Sequence, residues 1–306
     1  HEGRPKILET LALERLNAVY GKKRYLNPAT KEKHSALLTY LDLVIRRPAY
    51  ADKPLIHVEV VPLRRQILSW MKPEVQEHWM HVGRITPRML SHPAVQPILN
   101  GTDADLRQAK AVGQVHQAIF NLEHLGTELK LISPVPGDNH WAHITAPGQP
   151  RLASTDPRVV RAVDAPPVNP QIVGQVEEQW QALTTSWRAL DAQGVNAAIA
   201  ELTDLLPRVH PATYPPQWQR TAEHWYNKTG QFTIAYVFYL VAAVALLVSL
   251  GAPRRWVVGL GVAFLLLGLG VHTAGMIIRM LLAGREWLPL HNQYESYIAI
   301  SWFRSE

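Results

Sequence analysis

Two long apolar runs, residues 232–250 and 256–282, interrupt a chain whose other hydrophobic positions recur every three or four residues among polar ones. At about 1.5 Å of rise per residue, each run folded as a helix is long enough to cross a hydrocarbon layer of roughly 30 Å. Ahead of them the spacing predicts mostly helices. Residues 8–20 place Leu8, Leu11, Ala12, Leu16 and Val19 on one face and stop at Gly21. Residues 28–47 repeat the pattern with Leu37, Leu38, Leu41, Val44 and Ile45 and end at Pro48. Alternation of Ile56, Val58 and Val60 predicts a short strand over 54–61, followed by a helix over 62–71 that Pro73 breaks. From there to Asp105 the chain is rich in Pro, Gly and His and reads as loops with short helical turns.

Val112, Val115, Ile119 and Leu122 predict an amphipathic helix over 103–125, and 128–132 a second short strand. Residues 133–170 carry too many prolines and glycines for regular structure and are long for one loop of a compact domain. This segment is either a mobile, partner-binding surface or an irregular loop. Val173, Val176, Trp180, Leu183, Trp187 and Leu190 form one stripe of a helix over 171–191. Gly194 separates it from a helix over 195–206 bearing Ala198, Ile199, Leu202 and Leu205. Opposed stripes across a short link predict a helical hairpin, with the tryptophans either in its core or as a stacking platform for a ligand. A proline-punctuated linker, 207–216, and a short helix over 217–228 lead to the first apolar run.

The fold class expected is therefore mostly α with minor β: an exported α-rich domain followed by transmembrane helices of a truncated polytopic membrane protein. Its parts are the domain at 1–216, a juxtamembrane helix at 217–231, spans at 232–250 and 256–282, an outer loop at 283–295 and the start of a third span at 296–306. The link between the spans carries Arg254 and Arg255, and short basic links stay on the cytoplasmic side. The outer loop and the long leading domain then face outward. Arg285 and Glu286 cancel in that loop, and Trp225, Tyr226 and Trp287 fall where interfacial aromatics are expected. The apolar stretch 297–303 is too short to span, there is no initiator methionine or signal peptide, and both ends read as cut.

Composition narrows the chemistry. The absence of cysteine from all 306 residues excludes disulfides, thiolate metal sites and cysteine catalysis. The net charge of +6 is spread without a polybasic block, so nucleic acid is not an expected partner, whereas a lipid bilayer is. Neither a nucleophile elbow, a phosphate loop nor a dinucleotide fingerprint occurs.

Within the second run, His272, Met276 and Arg279 follow one another at i, i+4 and i+7 and share a helical face. An ionisable residue at such depth defaults to a functional hypothesis. The imidazole either binds a ligand or hydrogen-bonds a neighbouring helix; Arg279 either pairs with an anion or snorkels to the interface. In the outer loop, Asn292 can cap the next helix, Glu295 suits its positive end, and His291 is a further ligand candidate. Two clusters, His78-Trp79-Met80-His81 and His140-Trp141-Ala142-His143, space their histidines for a metal or sit as surface loop residues. Neither has the His-Glu-x-x-His arrangement of a zinc peptidase.

Arg279, Gly284, Pro289, Leu290, Asn292, Tyr294, Glu295, Ser296, Ser301 and Trp302 together resemble the early part of the cytochrome c assembly proteins of the CcsA/ResC type. Glu223, Tyr226, Asn227 and Phe232 look like the junction in the large fused forms of that family. The segment from Gly3-Arg4-Pro5-Lys6 to Ala12 is similar to another part of them, with its proline displaced. The resemblance implies c-type cytochrome biogenesis: haem carried across a bacterial cytoplasmic membrane and presented for attachment to apocytochrome c. It implies a multi-pass assembly factor rather than a stand-alone enzyme, with the large domain on the periplasmic side and other assembly components as partners. Arg279, His272, His291 and Glu295 are then the cofactor-binding candidates. The family's tryptophan-rich haem motif does not occur in these residues, so no ligand histidine carries over. A membrane-anchored extracytoplasmic sensor or scaffold fits the same topology.

Overall fold

α1 (Leu8–Tyr20) turns Ala12, Leu16 and Val19 inward and ends at Gly21, whose φ of 73° is the left-handed conformation that glycine adopts without strain. A Cβ at Gly21 would stand 2.8 Å from the His57 ring, a second reason for glycine there. The computed structural model describes residues 6–101, 106–134, 141–144, 170–251 and 254–282. Contacts divide it into two compact units, one of Leu8–Tyr214 and one formed by Lys6 and Ile7 with the described chain from Pro215 onward.

In the first unit, the helix expected over 28–47 begins late. Asn27 accepts the Ala29 N–H at 3.0 Å and Lys31 takes a φ of 60°, so the chain turns and pairs β1 (Tyr25–Leu26) with β2 (Lys33–His34). Ser35 then caps α2 (Ala36–Arg46), its hydroxyl accepting the Leu38 N–H at 3.2 Å. A 3-10 turn, Arg47–Tyr50, follows. The strand expected over 54–61 shrinks to β3 (Ile56–His57), because Pro62 in the first turn starts α3 (Val61–Ile67) early.

Pro73 opens a helix rather than ending one. α4 (Pro73–Val82) has it at the first helical position, where no N–H is required, and carries His78 and His81 on its exposed surface instead of on a loop. Arg64 ties α4 to the body: its Nε and Nη2 donate to the Val58 carbonyl at 3.1 and 2.6 Å, and Nη1 to that of Met80 at 2.8 Å. β4 (Arg84–Ile85) pairs antiparallel with β3, Ile56 opposite Ile85. Short helices α5 (Pro87–Leu90) and α6 (Gln96–Asn100) lead to α7 (Leu106–His124), which buries Val112, Val115, Ala118 and Leu122 against α1.

A 3-10 turn, Leu125–Glu128, replaces the start of the strand expected over 128–132; Ile132 forms a bridge to Ala142, and the Leu129 carbonyl accepts the Ile144 N–H at 3.2 Å. The described ends of the expected 133–170 loop are packed: Ser133 and Ile144 are buried and Trp141 contacts the Tyr214 ring. The remainder of that segment, His140 included, lies outside the described residues.

α8 (Pro170–Arg188) and α9 (Ala192–Val209) form the expected hairpin, with Val176, Trp180, Leu183 and Trp187 facing Ala198, Leu202 and Leu205. The turn comes earlier than Gly194, which lies inside α9. Leu190 takes a φ of 59° and Asp191 caps α9 by accepting the Gln193 N–H at 3.1 Å. α9 also runs through Pro207, one turn from its end, where the missing N–H removes a single helical bond. Trp187 donates from Nε1 to Asp42 at 2.8 Å, so the tryptophans serve the core.

α10 (Gln217–Thr229), α11 (Gln231–Gly251) and α12 (Arg255–Leu282) build the second unit. Two helices, Phe232–Gly251 and Arg255–Leu282, are long and apolar enough to cross a membrane. Only 11% and 22% of their most apolar windows are buried, unlike the core helix of a soluble domain. The architecture is mostly helical, and its β content is two two-stranded ladders and a bridge among the described residues.

Candidate functional site

Where α11 meets α12, the residues in contact are small. Ala235, Ala242 and Ala245 are buried on α11, and Gly261, Gly268 and Gly275 recur one heptad apart on the buried side of α12. A Cβ on Gly268 would lie 2.9 Å from the Tyr239 ring, and one on Gly261 2.8 Å from the Leu246 side chain. Such close approach is how helices associate where lipid supplies no hydrophobic drive between them.

His272 stands one turn after Gly268 and is 7% exposed. The Tyr239 hydroxyl lies 3.5 Å from its Nδ1, at the outer limit of a hydrogen bond. The Phe232 ring meets it edge-on at 5.4 Å between centroids. Its Nε2 is buried and has no hydrogen-bond partner. Whichever tautomer is present, one polar ring atom is unmatched, at a cost of about 1–3 kcal/mol.

Two turns on, Arg279 is half-buried and its Nη1 donates to the Tyr226 hydroxyl of α10 at 3.4 Å. Tyr226 in turn meets Phe232 edge-on at 6.2 Å. Glu223, 4% exposed, accepts the Ile7 N–H at 3.2 Å. His272, Arg279 and Glu223 thus all belong to the end of the unit where α10 packs on α12, while Arg254 and Arg255 occupy the exposed link at the other end of the pair.

This cluster offers an imidazole nitrogen and a guanidinium to a ligand, but not on equal terms. Phe232 and Tyr239 close over His272, so a porphyrin cannot reach Nε2 while α11 and α12 stay apposed. Arg279 is the residue suited to a carboxylate, through charge-assisted hydrogen bonds. Among the described residues no group of three or more His, Asp or Glu side chains is placed to hold a metal ion.

Of the sequence-derived candidates, the structure brings His272, Met276 and Arg279 onto the inner side of α12. Gly284, Pro289, Leu290, His291, Asn292, Tyr294, Glu295, Ser296, Ser301 and Trp302 lie outside the described residues. Phe232 and Tyr239 surround the imidazole, and neither carries a motif that marks it as a partner of His272. Their signal is a stripe: Phe232, Ala235, Tyr239, Ala242 and Leu246 follow one another at alternating steps of three and four in α11.

No protein-family model matches this chain, and no curated protein matches it either.

Proposed function

We propose that this chain is part of a membrane protein of c-type cytochrome assembly that handles haem at the outer face of a bacterial cytoplasmic membrane. The observation that carries the reading is the gathering of a buried histidine, a buried glutamate and a half-buried arginine at one end of an otherwise apolar helix pair. Ionisable groups at such a position are rare and default to a functional reading. The same end leads into the residues that resemble the haem-handling family, and Arg279 belongs to both. With the Arg254–Arg255 link on the cytoplasmic side, α10 and the Leu8–Tyr214 unit face outward, where apocytochrome c and other assembly components are met.

In this reading haem supplies the iron to be delivered and two propionates for recognition. Arg279 offers the cation for a propionate, positioned by the Tyr226 hydroxyl. His272 stays shut between α11 and α12 and holds a ring nitrogen in reserve.

Absorbance of the full-length protein purified in detergent from haem-replete cells tests this. A Soret band is expected, retained in His272→Leu and reduced about tenfold in occupancy in Arg279→Gln, the scale of one lost charge-assisted contact. A wild-type protein without a Soret band would sink the reading and leave the membrane-anchored sensor or scaffold.

A further inference from the structure

The Leu8–Tyr214 unit contains a cleft of about 580 Å³ between the Arg47–Tyr50 turn, β3, α5, α6 and α7. Small-molecule sites commonly enclose roughly 300–1,000 Å³. Its floor is made by side chains the core already holds in place: Tyr50, Ile56, Leu90 and Leu99 are each at most 3% exposed. The inner surface is therefore apolar and rigid.

The rim has the opposite character. Arg47, Arg88 and His116 stand there with two carboxylates nearby, Glu123 in the lining and Asp52 beside Arg88. Each arginine is steadied by only part of its guanidinium. Arg47 uses Nη1, which donates to the carbonyls of Leu122 and Glu123 at 3.5 and 3.2 Å in the last turn of α7, where helix carbonyls lack intrahelical partners. Arg88 uses Nε, 2.9 Å from Asp52 Oδ1. Nε and Nη2 of Arg47 and both Nη groups of Arg88 make no further hydrogen bond among the described residues, and neither does His116. Cations held from one side with donors to spare are preorganised for an oxyanion, and a guanidinium matches a carboxylate in two-point geometry.

We propose that this cleft is a binding site for an apolar organic carboxylate, whose body fills the floor and whose acid group meets Arg47, Arg88 and His116 at the rim. The site belongs to the Leu8–Tyr214 unit and stands independently of haem handling by the helix pair. Two features of the ligand follow from the two surfaces. Removal of its charge leaves the rim donors unmatched, and shortening of its body leaves the apolar floor in contact with water.

The test is calorimetric titration of the full-length protein in detergent with biphenyl-4-carboxylate and with biphenyl-4-methanol, its uncharged counterpart, each against empty micelles. The carboxylate is expected to bind about tenfold more tightly than the alcohol. The double variant Arg47→Gln/His116→Gln removes that preference, and Ile119→Trp, which fills the cleft from α7, weakens both probes. Because Arg47 also ties the Arg47–Tyr50 turn to α7, Arg88→Gln at an exposed position repeats the charge test without that tie. Equal binding of the two probes, a preference that survives loss of the rim donors, affinity unchanged in Ile119→Trp, or no binding of either probe at about 1 mM would each overturn the assignment.

Discussion

The Tyr239 hydroxyl and Nδ1 of His272 are 3.5 Å apart across the α11–α12 contact, and this long interaction is the only hydrogen bond recorded for the imidazole among the described residues. The ring therefore contributes little to holding the two helices together. His272→Leu removes an unmatched buried polar atom and keeps an apolar side chain in the same space. Its stability is expected to stay level or rise by about 1 kcal/mol, measured by SDS-induced unfolding followed by circular dichroism. A loss above about 2 kcal/mol would make His272 a structural residue.

Four glycines of α12 divide into two classes. Gly261 and Gly268 leave no room for a Cβ, whereas Gly259 and Gly270 have nothing within 4 Å of one. Gly268→Ala is expected to destabilise the pair by about 1–3 kcal/mol through overpacking against Tyr239. Gly270→Ala should be neutral or stabilising by up to about 1 kcal/mol, since alanine suits a helix better. The same unfolding assay compares them, and equal effects would refute the close approach.

Tyr25 and Tyr50 make the Leu8–Tyr214 unit sensitive to alkali. Burial, then the neighbouring Tyr20 and Asp42, pushes the Tyr25 phenol up to about 12. Burial first, and then the 2.8 Å hydrogen bond from Tyr50 to Asp42, raises the Tyr50 phenol further. Both protons are held more tightly in the folded unit than at the ordinary value of 10.0, so the stability they add is complete below that pH. It is lost as the pH rises from 10.0 toward and past about 12. Melting temperature is expected to fall across this window, with the phenolate absorbance of these two residues appearing only on unfolding. Tyr25→Phe should flatten part of the fall.

Leu190 combines a left-handed φ of 59° with 73% exposure. A branched side chain there strains the turn into α9 and buries little in return. Leu190→Gly is expected to stabilise the unit by about 0.5–1 kcal/mol, read as a rise in melting temperature. A drop would mean that the leucine makes a packing contribution its exposure conceals.

Which parts were legible in the sequence depends on what decides them. α1, α7 and the two long apolar helices follow from periodicity alone, because burial of one face, or apolarity all round, imposes it. Prolines misled at two places. Pro73 falls in a first turn, where a missing N–H is harmless, and Pro207 removes only one bond near the end of α9. Reading each as a stop shortened or erased a helix. The break at 27–35 depends on Asn27, Lys31 and Ser35, whose side-chain and backbone choices outweigh the apolar spacing that continues beyond them. At the candidate site, His272 was visible as an ionisable residue in an apolar run, on one helical face with Arg279. Its partners were not, because in helices as apolar as α11 the choice of which face meets α12 is made by shape, through alanine and glycine, rather than by polarity.

The helices α11 and α12 are separated by only residues 252–254, so their pairing can start beside that link and extend outward to Tyr239 and His272. Pairings of this kind close quickly, since little chain entropy is lost in bringing the partners together. During synthesis the hairpin can form as soon as α12 has emerged, and the imidazole of His272 is then enclosed at that stage. Any later ligand must compete with a joint that has already set.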